Sequence, residues 1–214
     1  MKAYLFVAFA VLVSSLAAAV ATTPATRPTT GEASTIEKLN NEGSSASNYV
    51  TRGRLSQQVA NAAGFDEDPG GQIFQDVPPE SHYYEWVNRL ANRGLVSGRP
   101  CDVPPAGPCV APENLPYFSP DEESTRGQIA KVVSNAAGFD DMPVGQTFED
   151  VRPGSTFYEF VERLASRGLA GGTECGTGEN VPCVEPDNRP YFLTFDPMTM
   201  SELVKMVNDT FHRD

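Results

Sequence analysis

The chain repeats itself. Cys101 and Cys175 lie 74 positions apart, as do Cys109 and Cys183, and so do Thr51-Arg52-Gly53 and Thr125-Arg126-Gly127. Aligned without a gap, residues 51–124 and 125–198 are identical at 37 of 74 positions, which marks an internal duplication: whatever one copy folds into, the other must too. A further step of 74 lands on Thr199-Met200-Ser201-Glu202-Leu203, where Lys205 and Val207 match Lys131 and Val133. This third copy is expected to be one helix long.

Each copy reads as helix, loop, helix, long loop. The first helix is expected to begin at Thr51, Thr125 or Thr199. Gln128 and Glu202 stand three residues after two of these threonines, the capping-box spacing in which the two side chains satisfy orphan amides. Ile129, Val132, Val133, Ala136 and Ala137 fall on one face at helical spacing, and Gly64 or Gly138 ends the helix. The second helix is expected from about Ser81 or Ser155. Its apolar stripe is Tyr83, Trp86, Val87, Leu90 and Ala91, mirrored by Phe157, Phe160, Val161, Leu164 and Ala165; Gly94 and Gly168 close it. With 18 Gly and 18 Pro, long uninterrupted helices are excluded. Five short helices, each with one apolar stripe, are unstable singly and must pack together. The expected fold class is mainly α: a small helical bundle of helix-loop-helix repeats with long loops.

Ahead of the repeats, Lys2 precedes an apolar run over residues 3–13, then small residues ending in Ala19-Val20-Ala21. That pattern predicts a signal peptide over 1–21, an exported product, and no membrane span once it is removed. Residues 22–48, rich in Thr, Ser, Pro and Ala, read as a flexible linker. In an oxidising compartment the four cysteines are expected to form disulfides. Three connectivities are possible, and local pairing, Cys101 with Cys109 and Cys175 with Cys183, is the simplest because each copy brings its own pair.

Certain motifs resemble those of a known family. Phe74-Gln75-Asp76-Val77-Pro78, an aromatic-rich helix, Arg93-Gly94-Leu95-Val96-Ser97-Gly98, Tyr117-Phe118-Ser119-Pro120 and Thr125-Arg126-Gly127-Gln128 together resemble an S-layer homology (SLH) motif. The second copy runs Phe148-Glu149-Asp150-Val151, Arg167-Gly168-Leu169, Tyr191-Phe192 and Thr199-Met200-Ser201-Glu202. The resemblance covers 51–214 as a half-motif at 51–65 and full motifs at 74–139 and 148–213. It implies helical prongs around a pseudo-threefold bundle that hold an exported protein to cell-wall polysaccharide, often through a pyruvylated sugar. Two departures stand out. Tyr83 and Phe157 occupy the place of the family's Trp, with Trp86 one turn later, and Met200 replaces the third arginine. The cysteine loops look like an insertion relative to shorter members.

Arg52 and Arg126 follow N-cap threonines, where a cation faces the positive end of the helix dipole at a cost of about 0.3–1 kcal/mol. An arginine placed there twice invites an anion. A guanidinium beside free backbone amides would take the carboxylate of a pyruvyl ketal, with Tyr83 or Phe157 packing against the sugar ring. The competing expectation is an internal ion pair with Glu122, Glu123 or Asp150. The formal charge of −12, from 16 Lys+Arg against 28 Asp+Glu, excludes a nucleic-acid binder and repels an anionic polymer at long range, although screening within ~8 Å confines that repulsion.

Other side chains suggest structure more than chemistry. Asp66-Glu67-Asp68 lacks the EF-hand's terminal Glu, since Val77 occupies that place, and reads as solvated loop carboxylates. Asp76 and Asp150 are expected to cap or brace the aromatic helix, while Tyr117, Phe118, Tyr191 and Phe192 pack the long loop onto the bundle and Trp86 joins the core. His82 and His212 are the only histidines, too few for a zinc site or a His-based triad. The expectation is a non-enzyme, with no cofactor and no metal, bound to cell-wall polysaccharide at the cell surface. The alternative is a self-associating or protein-binding module whose unpaired Thr199 helix completes its bundle against another chain.

Overall fold

Three threonines start the three principal helices. Thr51, Thr125 and Thr199 lie in extended backbone and accept from the amides of Arg54, Gln128 and Glu202. Gln128 and Glu202 reach back to the threonine amides at 3.0 and 2.9 Å, completing capping boxes; Arg54 in the first copy cannot. The computed structural model describes residues 48–212, and among these there are five helices: α1 (Arg52–Ala62), α2 (Tyr84–Asn92), α3 (Arg126–Ala136), α4 (Tyr158–Ala165) and α5 (Met200–Phe211). The protein is mainly helical, as expected. The expected signal peptide and nearly all of the linker lie outside the described residues.

Helices α2 and α4 begin about three residues later than the serines suggest. Ser81 and Ser155 instead open a turn in which the amides of Tyr84 and Tyr158 donate to the serine carbonyls, so Tyr83 and Phe157 precede the helix with no side-chain cap. The C-termini follow expectation. Gly64 at φ +66 lets the Phe65 amide reach the Ala60 carbonyl at 2.9 Å, the left-handed closure that glycine permits without steric cost.

Helix α2 packs on α1 and α4 on α3, while α1, α3 and α5 pack on one another. Leu55, Val59, Ile129, Val133, Leu164, Phe192, Leu203 and Val207 share the main core; Phe74, Val77, Val87 and Phe118 form a smaller one. Close approach of the aromatic helix needs a missing side chain. A Cβ on Gly53 would meet the Tyr83 ring at 2.6 Å, and one on Gly127 would meet Phe157 and the Thr194 methyl, each at 2.6 Å.

The residues leading into the three principal helices join in a closed ring. Tyr49 bridges to Thr199, Thr51 to Glu123 and Thr125 to Pro197. The Val50 amide donates to Met198 O at 2.8 Å and Ser124 N donates to Val50 O at 2.8 Å, so each of the three segments touches the other two. The third copy is therefore used within the chain. Helix α5 buries Leu203, Met206 and Val207 against its own chain, which removes the unpaired helix on which the self-association reading relied. Among the described residues no aromatic helix packs on α5 as α2 packs on α1 and α4 on α3. Ser201, Val204 and Asn208 are exposed where Gly53, Ser56 and Ala60, or Gly127, Ala130 and Ser134, are buried in the other copies.

The long loops are tied in the same way twice. Cys101 pairs with Cys109 and Cys175 with Cys183, with Cα atoms 4.9 and 4.8 Å apart, the local connectivity. Tyr117 and Tyr191 donate their hydroxyls to Pro108 and Pro182 carbonyls, fixing each disulfide loop from below, and Phe118 and Phe192 are buried. Asp76 and Asp150 brace the return turn that follows these rings, not the aromatic helix. Asp76 accepts from the Phe118 and Ser119 amides, both at 2.7 Å, and Asp150 accepts from Phe192 and Thr194. The two oxygens of each carboxylate supply the acceptors that these turn amides would otherwise lack. Trp86, half-buried against the main core, donates to Asn61 Oδ1 at 2.9 Å.

Candidate functional site: two grooves beside helix starts

Duplication produces two grooves related by the same step of 74. One, of about 320 Å³, is lined by Arg52, Ser97, Gln128, Lys131 and Phe157 among others. Its counterpart, of about 500 Å³, is lined by Arg126, Gly171, Asp196, Glu202 and Lys205 among others. Each lies between the start of one principal helix and the first turns of the next, with the loop after an aromatic helix as the third wall.

Both arginines turn back onto carbonyls. Arg52 Nε donates to Phe118 O and Nη2 to Ser97 O, both at 2.7 Å, and the guanidinium lies 4.3 Å from the Phe118 ring centroid. Arg126 repeats this with Phe192 O at 2.7 Å, Gly171 O at 3.1 Å and the Phe192 ring at 4.8 Å. Carbonyl oxygens thus satisfy the donors that the helix dipole opposes, and they do so without neutralising the charge. Burial lowers the Arg52 pKa from its usual value, opposed by the attraction of Glu122.

The two guanidiniums differ at their remaining nitrogen. Arg126 Nη1 donates to Glu202 Oε1 at 2.7 Å, while Arg52 forms no ion pair among the described residues. The expected partners of an internal pair, Glu122, Glu123 and Asp150, are not used. Arg99 holds Glu122 bidentately at 2.5 and 2.7 Å and lowers its pKa, and Asp150 is committed to its turn. Burial disfavours the Glu202 carboxylate, yet hydrogen bonds from Thr199 together with Arg126 outweigh it, so its pKa falls below the ordinary range.

One part of the expected chemistry is corrected. The first helical amides are not free to receive a ligand. Arg52 N donates to Glu122 O and Gly53 N to Pro120 O, and Arg126 N and Gly127 N donate to Asp196 O and Thr194 O. The third amide of each helix is held by its capping threonine. Ring closure consumes these donors, so any anion must be held by side chains.

The aromatic residues divide between sites. Phe157 lines the Arg52 groove, where it packs on Gly127 of α3; the arginine and the ring therefore come from different copies. Tyr83 packs on Gly53 and lines neither groove. Lys131 lines the Arg52 groove and Lys205 the Arg126 groove in the same register, with Gln128 and Glu202 beside them respectively; the sequence reading gave these residues no binding role. Their signal was present as a lysine recurring at 74 residues on the exposed side of the helix. Of the acidic loop, Glu67 is clamped by Arg93 at 2.6 and 3.0 Å, which lowers its pKa to about 2, and Asp68 accepts from Gly70 N.

Among the described residues no three His, Cys, Asp or Glu side chains gather as a metal site, and no helix is long and apolar enough to cross a membrane. No protein-family model matches the chain, and comparison with curated proteins finds no match.

Proposed function

We propose that this chain is an exported, non-catalytic cell-surface module of the SLH type that binds cell-wall polysaccharide, taking an acidic sugar such as a pyruvylated residue in a groove beside a helix start. The observation that carries this reading is the Arg52 groove. It is an open hollow holding a guanidinium whose Nη1 has no hydrogen-bond partner among the described residues, a lysine and an aromatic ring, with no carboxylate among its lining residues. The Arg52 Nη1 and the Lys131 ammonium can each donate to a carboxylate, and the ring offers an apolar face to a sugar. The closed ring of three segments, the motifs at 74-residue spacing and the disulfide loops suit a rigid module that presents such grooves.

Sedimentation of purified protein with wall polymer tests the reading. Binding should fall on chemical removal of pyruvate and disappear in the Arg52→Ala plus Arg126→Ala variant. Undiminished sedimentation of that variant refutes carboxylate capture. A dimer in light scattering that persists in the variant, with no polymer binding, would favour self-association through a surface other than the buried face of α5.

A further inference from the structure

Granted that reading, we infer that the two grooves are unequal and that the chain has a single site for an acidic sugar, the Arg52 groove, with Gln128 and Glu202 setting the difference. These two residues do the same structural work, accepting from the Thr125 and Thr199 amides at 3.0 and 2.9 Å. They differ by one charge. In the Arg52 groove the charged lining residues are Arg52 and Lys131, both cations. In the other groove Glu202 and Asp196 stand against Arg126 and Lys205, and Glu202 already occupies the Arg126 Nη1 donor. A ligand carboxylate must first displace Glu202 from that donor. Carboxylates behind Arg52 are engaged elsewhere, Glu122 by Arg99 and Asp76 by two amides.

A second difference points to a sugar over a bare anion. Phe157 walls the Arg52 groove, and Phe195, 79% exposed, stands edge-on to it with centroids 6.4 Å apart. Among the described residues the Arg126 groove has no such ring in its lining. The counterpart of Phe195 in the first copy is Asp121. The cationic groove and the aromatic wall thus coincide at one site, which suits a hexose carrying a carboxylate and presenting one apolar face.

The test is calorimetric titration of the full chain with a methyl hexopyranoside bearing a pyruvyl ketal, alongside NMR of the arginine Nε–H signals with the same probe and with acetate. Wild type should bind one ketal per chain. Arg52→Ala and Gln128→Glu should weaken binding about tenfold or more, and Arg126→Ala by less than about twofold, as expected when only one groove supplies an unpaired cation. Glu202→Gln preserves the cap and frees Arg126 Nη1, so Arg126 should then respond to acetate as Arg52 does. Two equal sites in wild type, equal losses in Arg52→Ala and Arg126→Ala, or no acetate response of Arg126 in Glu202→Gln overturns the inference and leaves the polysaccharide reading standing. Acetate shifts at Arg52 alone, without ketal binding, uphold the inequality of the grooves and overturn the polysaccharide reading. No response of Arg52 to either probe overturns both.

Discussion

Replacing Gly127 with Ala sets two opposed terms against each other. The new methyl would sit 2.6 Å from both Phe157 and the Thr194 methyl, against about 3.4 Å for an ordinary contact, so α4 and the return turn must each give way by most of an ångström. Overpacking of this kind costs about 1–3 kcal/mol. Against it stands the helix preference of Ala over Gly, about 1 kcal/mol in a helix interior and less in the first turn. The clash wins, leaving a net loss of roughly 1–2 kcal/mol, which lowers Tm by about 3–6 °C for a domain of this size. Differential scanning calorimetry reads the effect directly. Gly71→Ala, with nothing within 4 Å of the new atom, is the control and should be neutral or slightly stabilising. Adding Phe157→Ala should relieve the clash, so the double variant should be more stable than the two single losses summed, by at least ~0.5 kcal/mol. A Gly127→Ala protein that melts at or above wild type, or a cycle with no coupling, refutes the claim that glycine is there to admit the aromatic ring.

Removal of one disulfide by Cys175→Ala plus Cys183→Ala should cost about 2–3 kcal/mol for a nine-residue ring, measured by urea unfolding; an unchanged midpoint would place the loop's order in Tyr191 and its neighbours. Glu67 has a folded pKa near 2, below its ordinary 4.5, so its clamp with Arg93 supports the fold above about pH 4.5 and is lost as pH falls through about 2. Carbon NMR titration should show that low midpoint, and Arg93→Met should return it to the ordinary range; a wild-type midpoint near 4.5 contradicts the clamp. Truncation after Met198 removes the burial of Leu203, Met206 and Val207, roughly 5–9 kcal/mol together, comparable with the whole stability of a domain, so circular dichroism should report loss of cooperative folding. A truncated chain that still melts cooperatively near the wild-type temperature would show that the ring does not depend on its third segment.

The parts of this fold that the sequence made legible are those written locally or twice. Thr125 and Gln128 announce a capping box by spacing alone, Gly64 and Gly138 end their helices, and a cysteine pair present once per copy limits connectivity. Mainly helical architecture follows from these. Less legible were contacts that join distant residues singly. Tyr49 meets Thr199 across most of the chain through backbone atoms that carry no pattern of residue types. Arg126 meets Glu202 because two helices cross, and the capping role already explained why Glu202 was there. The aromatic helices begin at Tyr84 and Tyr158 because a turn after Ser81 and Ser155 absorbs the expected start, and tertiary packing on a glycine, not a side-chain cap, fixes the entry angle. For the same reason Phe157 lies in a groove with Arg52, an arginine of the preceding copy, which no reading within one repeat would pair.

The clasp between residues 48–50 and 198–200 also governs how this domain would answer a pull. Tension on the polypeptide ahead of Asn48 arrives first at the Asn48–Met200 and Val50–Met198 hydrogen bonds, and through Ser124 at the third segment. Load is thus shared among all three principal helices at their bases before any single one can be peeled away.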